Sequence, residues 1–234
     1  MKHNKNFYCI HSQIEQNRQF YGCFKIGPFY THGAQTFANC LRRTLLADQS
    51  ACVFDTIQIY GIQHEFSSLV GVRESVVDIM FNIENIILCF KGGCQGCPLI
   101  SKPQIGLINL TGPGILRAHN IYLPKQIGCV NPNQYIATIE TDGELNLKLF
   151  IHNEKIHQNK KLKKNSNKNY LFLNNDICSI KRINYTIQSI SSGEEFILFE
   201  IWTNGGIHPK KAISKAINEI LLDFLAYSIK INTD

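Results

Sequence analysis

The sequence predicts an α+β fold of antiparallel sheets with few helices, and three observations carry that expectation. Two-residue alternation of apolar and polar side chains recurs near both ends of the chain and in its middle, whereas a 3.6-residue period occupies three stretches. The strand-like runs follow one another through short polar or glycine-bearing turns, which favours antiparallel pairing. Hydrophobic residues make up 44% of the 234 and charged residues 18%, the balance of a chain that buries a core as one large domain or two modest ones.

Residues 7–30 hold two β-rich runs, FYCIHSQI and FYGCFKIGPF, separated by the polar EQNRQ, the pattern of an antiparallel hairpin. From Gln35 to Asp48 the spacing of Phe37, Leu41 and Leu45, with Ala34 and Ala38, is helical. Arg42 and Arg43 sit among those leucines. They are either the solvated side of a surface helix or a docking point for something acidic or carbonyl-rich. Next, ACVFDTIQIYGI places Val53, Asp55, Ile57 and Ile59 on one strand face and Phe54, Thr56, Gln58 and Tyr60 on the other, with Gly61 ending it. GVRESVVDIMFNIENI returns to helical spacing through Val72, Val76, Ile79, Met80 and Ile83.

After Ile86 come short strand-like pieces broken by Gly and Pro, and ETDGEL reads as a two-residue hairpin turn because Asp-Gly supplies left-handed positions. Residues 158–169, QNKKLKKNSNKN, are polar and cationic, either a solvated excursion or a contact to a phosphate backbone. SIKRINYTIQSI and EEFILFEIWTNGG form two strands joined by SSGE, with Asn-Gly closing the second. The last helix opens at Pro209, a residue suited to the first helical position. Its stripe of Ile213, Ile217, Ile220, Leu221, Phe224, Leu225 and Ile229 is wider than one sheet face covers, which predicts a partner, often a second copy. Lys210 and Lys211 occupy the first turn against the helix dipole, at about 0.3–1 kcal/mol each.

Several function classes are excluded at this level. The net charge of +6 is too small and too concentrated in one run to identify a nucleic-acid partner. The longest apolar runs, such as IILCF at 86–90, fall far short of the roughly 18–20 residues a membrane helix needs, so a soluble protein is expected. MKHNKNFYCIHSQIEQ has no apolar signal region and no amphipathic presequence, so neither a secretory nor a transit peptide is expected. Nine cysteines, most placed singly in apolar segments, read as reduced thiols. Cys89, Cys94 and Cys97 lack the second cluster a zinc site needs, so no metal is expected. The aspartates are scattered, no phosphate-binding or nucleophile motif is present, and His64–Glu65 is better explained as a surface turn than as an acid/base pair. No catalytic residue and no cofactor is assigned to this chain.

Three stretches carry a resemblance to a known family: FYGCFKIGPF with THGAQTFANCLRRTLLADQSACVFDTIQIYGIQHEFSSLVGVRESVVDIMFNI, then TGPGILRAHNIYLP with VNPNQYIATI, then RINYTIQS with FEIWTNGGIHPKKAISKA. In this order they resemble the N-terminal domain of the α subunit of bacterial-type DNA-directed RNA polymerase, in plastid-encoded wording. The resemblance implies a dimerisation domain from residues 1–50 plus 178–234, an antiparallel sheet with two helices. It also implies an inserted, mostly-β domain over 51–177 that contacts the large polymerase subunits.

The implied function is a scaffold that homodimerises and assembles β and β′, with DNA reached only through the complex. Asn39, Arg42, Arg43 and Leu46 map onto β docking. Arg43 lies about 200° round the helix from Leu41, facing away from the core. Phe37, Leu41, Leu45, Ile217, Ile220, Leu221, Phe224 and Leu225 map onto the dimer interface. Lys181, Arg182, Thr203, Asn204 and Gly205 resemble the region that meets β′. Relatives usually continue into a DNA-contacting C-terminal domain, whereas this sequence stops at Asp234; that domain is either lost or lies outside this sequence, and upstream DNA binding is not expected of residues 1–234. The implied compartment is the plastid (chloroplast) stroma, with bacterial cytoplasm as the alternative. An independent nucleic-acid-binding module using residues 160–168 is the competing reading.

Overall fold

The computed structural model describes residues 6–16, 18–30, 33–47, 50–62, 64–91, 104–155, 170–174, 178–190 and 193–231. In chain order its elements are β1 (Asn6–Ile14), β2 (Phe20–Phe29), α1 (Gly33–Ala47), β3 (Ser50–Ile59), α2 (Val76–Glu84), β4 (Leu88–Phe90), β5 (Gln104–Thr111), β6 (Gly114–Arg117), β7 (Ile127–Cys129), β8 (Tyr135–Ile139), β9 (Glu144–Lys155), β10 (Leu171–Phe172), β11 (Ile180–Ser189), β12 (Glu195–Thr203) and α3 (Pro209–Ile231). Every pairing between named strands is antiparallel. The chain divides into two compact units, Met1–Gln49 with Cys178–Asp234, and Ser50–Ile177.

The first unit is a four-stranded sheet in the order β1-β2-β12-β11, with α1 and α3. Alternation decides which face is covered. Phe24 and Ile26 of β2 and Ile197, Phe199 and Ile201 of β12 are buried with Ala34, Ala38, Leu41 and Leu45 of α1 and Ala212, Ile213 and Ala216 of α3. The alanines keep the helix backbones close to the sheet. Each fully buried leucine or phenylalanine contributes about 1.5–3 kcal/mol relative to exposure.

The second unit has a sheet in the order β10-β3-β9-β5 and two smaller pairings, β4-β7 and β6-β8. Leu145, Leu147, Leu149 and Ile151 of β9 alternate into one core with Val76, Ile79 and Ile83 of α2. Three expectations change here. The second helix starts at Val76 rather than at Gly71, because the Ser75 side chain accepts from Asp78 N–H at 3.2 Å while Asp78 accepts from Ser75 N–H, a capping box. Val72 lies ahead of it as an isolated bridge to Ile139.

β3 does not keep one face throughout. Phe54 faces Ile151 and Thr56 faces Phe150, so Asp55 is an extra, bulged residue. Cys52 and Phe54 are buried before it and Ile57 and Ile59 after it. The bulge moves the buried set from even to odd positions. Asp142-Gly143 does form a turn, with Gly143 N–H donating to Glu140 C=O at 3.1 Å. The strands it joins nevertheless lie in different sheets, β8 pairing with β6 and β9 with β3 and β5. Glycine is required at 143 for close approach: a Cβ there would lie 2.1 Å from the Gly71 carbonyl oxygen.

Candidate functional site

Helix α1 buries Ala34, Ala38, Leu41 and Leu45 and leaves Gln35, Asn39, Arg42, Arg43 and Leu46 exposed. At about 100° per residue, Gln35, Asn39, Arg42 and Leu46 fall within about 60° of one another, with Arg43 about 40° beyond Asn39. The four residues expected at β docking therefore share one exposed stripe. Among the described residues neither guanidinium has a hydrogen-bond or ion-pair partner. Two five-donor forks stand ready for carboxylates or main-chain carbonyls.

The base of the stripe is a hydrogen-bonded post that pattern reading missed. Tyr185 of β11 donates its hydroxyl to Asn39 Oδ1 at 2.7 Å, and Gln35 Nε2 donates to the same hydroxyl at 3.1 Å. The Tyr185 ring lies parallel to that of buried Phe199, centroids 6.5 Å apart. Only the one-turn spacing of Gln35 and Asn39 hints at a shared contact in the sequence.

The residues expected between two copies separate into distinct groups. Leu41 and Leu45 are fully buried in their own unit and spend their apolar surface there. Phe37, Ile217 and Ile220 are half-buried, packed on the same core. Leu221, Phe224 and Leu225 are exposed by 56%, 67% and 47%, as are Leu222, Tyr227 and Ile229 beside them. From Leu221 onward apolar residues lie on most sides of α3, with Asp223 and Lys230 together on the remaining side.

Thr203, Asn204 and Gly205, expected on a docking surface, are buried instead. Thr203 Oγ1 donates to Ile207 C=O at 2.7 Å, Asn204 N–H donates to Ser179 C=O at 2.8 Å, and Gly206 N–H donates to Asn204 Oδ1 at 2.9 Å. Gly205 adopts φ +91°, a conformation glycine reaches without strain. These residues build the turn into α3, and their polar groups are satisfied within it and by the Ser179 carbonyl. Lys181 and Arg182 do reach the surface, Lys181 as the unpaired residue of a bulge and Arg182 over the Trp202 ring at 5.2 Å.

Candidate chemistry elsewhere is sparse. His64 lies in an exposed turn, its Nδ1 3.1 Å from Ser67 Oγ. Burial raises the Cys89 thiol pKa, with Lys91 opposing, while Cys94, Cys97 and the 158–169 segment lie outside the described residues. Among the described residues no three His, Cys, Asp or Glu side chains could hold a metal ion, and no helix is long and apolar enough to cross a membrane.

Known proteins resemble this chain along most of its length. Residues 57–176 match the RNA polymerase Rpb3/RpoA insert domain. The chain is 33% identical over 217 residues to the DNA-directed RNA polymerase subunit alpha of Cyanidium caldarium, covering 91% of itself and 67% of that protein. It is 31% identical to the subunit of Synechocystis sp. over 89% of itself and 66% of that protein. With the Chlamydomonas reinhardtii subunit it shares 37% identity over 190 residues, 79% of itself and 32% of that protein. The chain thus spans about a third to two thirds of the length of these relatives.

Proposed function

The chain belongs to the family of DNA-directed RNA polymerase α subunits, and from that premise we propose that it is a non-catalytic scaffold on which the large subunits assemble. The observation that carries the reading is the pair of unlike surfaces on the first unit. One is the cationic stripe of α1, the other the apolar end of α3. Two copies associate through α3, with Leu221, Phe224 and Leu225 at the centre and Phe37, Ile217 and Ile220 at its margin. Covering those side chains removes apolar surface from water at about 25 cal/mol per Å².

The α1 stripe docks β through Asn39, Arg42, Arg43 and Leu46. Bidentate guanidinium contacts give that junction directional specificity. Lys181 and Arg182 supply the contact with β′. The nucleotidyl-transfer chemistry belongs to the partners, and DNA is met through the complex. The compartment we assign is the plastid stroma, in line with relatives from algae and a cyanobacterium.

The test is recruitment. Arg43→Ala lies on the exposed side of α1 and leaves the dimer intact by light scattering, while co-purification of β falls. Equal recovery of β with Arg43→Ala and the unsubstituted chain overturns the β-docking assignment.

A further inference from the structure

We propose that Tyr185 is a positioning residue for the α1 stripe: its hydroxyl sets the Asn39 carboxamide so that the Asn39 amide N–H and the two guanidinia meet the partner as one run of donors. The inference rests on the reading of α1 as the β-docking face. Asn39, an exposed side chain, would by itself rotate between presenting its oxygen and its nitrogen. Tyr185 removes that freedom. Its phenol has one proton, which goes to Asn39 Oδ1 at 2.7 Å, and its lone pairs receive Gln35 Nε2 at 3.1 Å.

The post is stiff because the ring is stacked on Phe199, itself fully buried in the core of the unit. With Oδ1 engaged, Nδ2 is the group left to face outward. Arg42 follows one turn later and Arg43 beside it, both donors with no acceptor capacity. The matching partner surface presents only acceptors, carboxylates or main-chain carbonyls, along this line. Tyr185 thereby fixes one of the three donor side chains, Asn39, before the partner arrives, which lowers the entropy lost on docking.

The test measures the affinity of the full-length chain for β by titration. Tyr185→Phe keeps the ring on Phe199 and removes only the hydroxyl. The dimer and the thermal midpoint stay as they are, and β affinity falls about two- to tenfold, the cost of ordering one more side chain on binding. Asn39→Ala weakens docking similarly, and adding Tyr185→Phe to it produces no further loss. A Tyr185→Phe chain that binds β as the unsubstituted chain does, or whose effect adds fully to that of Asn39→Ala, overturns the inference.

Arg43→Ala separates the two levels. If it weakens β binding while Tyr185→Phe does not, the role of Tyr185 fails alone; if neither does, the docking face itself is wrong. Asn39→Asp gives an answer even where Tyr185→Phe folds poorly, since it keeps an acceptor for the phenol but turns the outward donor into an acceptor. A loss of tenfold or more in β affinity supports the proposal, and undiminished affinity refutes it.

Discussion

Phe224→Ala probes the association of two copies most directly. The ring is 67% exposed in a single copy, so truncating it removes little from the folding of that copy. Fully burying a phenylalanine side chain is worth about 1.5–3 kcal/mol, and the two thirds of this ring still open to a partner correspond to about 1–2 kcal/mol. A two-fold interface uses each residue twice. The dimer therefore loses about 2–4 kcal/mol, a rise of roughly 30- to 700-fold in its dissociation constant at about 1.4 kcal/mol per decade.

Sedimentation equilibrium over a dilution series reads this shift. Leu41→Ala is the contrasting perturbation, because Leu41 is wholly buried in its own unit. It costs about 2–5 kcal/mol of folding stability, visible as a lowered thermal midpoint. A dissociation constant within threefold of the unsubstituted value for Phe224→Ala means that the end of α3 is not where copies meet.

Two further perturbations test the fold and its titration. Gly143→Ala sets a methyl group 2.1 Å from the Gly71 carbonyl oxygen and 2.7 Å from Ile139 Cγ2, and that same carbonyl accepts from Glu140 N–H at 2.8 Å. Overpacking of about 1–3 kcal/mol plus about 1 kcal/mol for the weakened hydrogen bond predicts a clear fall in denaturant midpoint, and an unchanged midpoint refutes the close contact. The His208 pKa is lowered in the fold: partial desolvation lowers it most, Lys211 and Lys210 lower it further, and its Nδ1 accepts from Lys210 N–H at 3.2 Å. The unfolded chain binds the proton more readily, so stability is complete above about pH 6.5 and declines as pH falls toward the folded-state value. Thermal melts from pH 7.5 to 5.5 show a smaller decline for His208→Asn, which keeps a capping acceptor but does not titrate; an identical decline refutes the assignment.

How far the sequence could be read follows from how local each feature is. The hairpin, α1, the two late strands and α3 were legible because each depends on periodicity within one segment, and Ala38, Leu41 and Leu45 are buried as their spacing requires. The excess apolar surface of α3 was legible for the same reason. The bulge at Asp55 was not, since the extra residue is defined only by the strand opposite it, where Ile151 and Phe150 are consecutive. Thr203 to Gly205 look like a polar surface triplet in sequence, but their hydrogen bonds close within their own turn and onto the Ser179 carbonyl. Tyr185 escaped notice because its partner Asn39 is 146 positions away.

In the second unit, first and last strands are neighbours. β10 pairs with β3 through Leu171–Ile57 and Phe172–Thr56, and Leu173 N–H donates to Asp55 C=O at 2.9 Å. During synthesis this matters for timing: β1, β2 and α1 leave the ribosome long before β11, β12 and α3, the strands and helix that complete their core. A flexible connection as long as the stretch from Ser50 to Ile177 would cost on the order of 4 kcal/mol in closure entropy. Once the insert has folded, its last described strand, β10, lies antiparallel beside its first, β3. Loss of the β3–β10 pairing is therefore expected to leave more of that closure entropy to overcome, read as slower refolding of the chain.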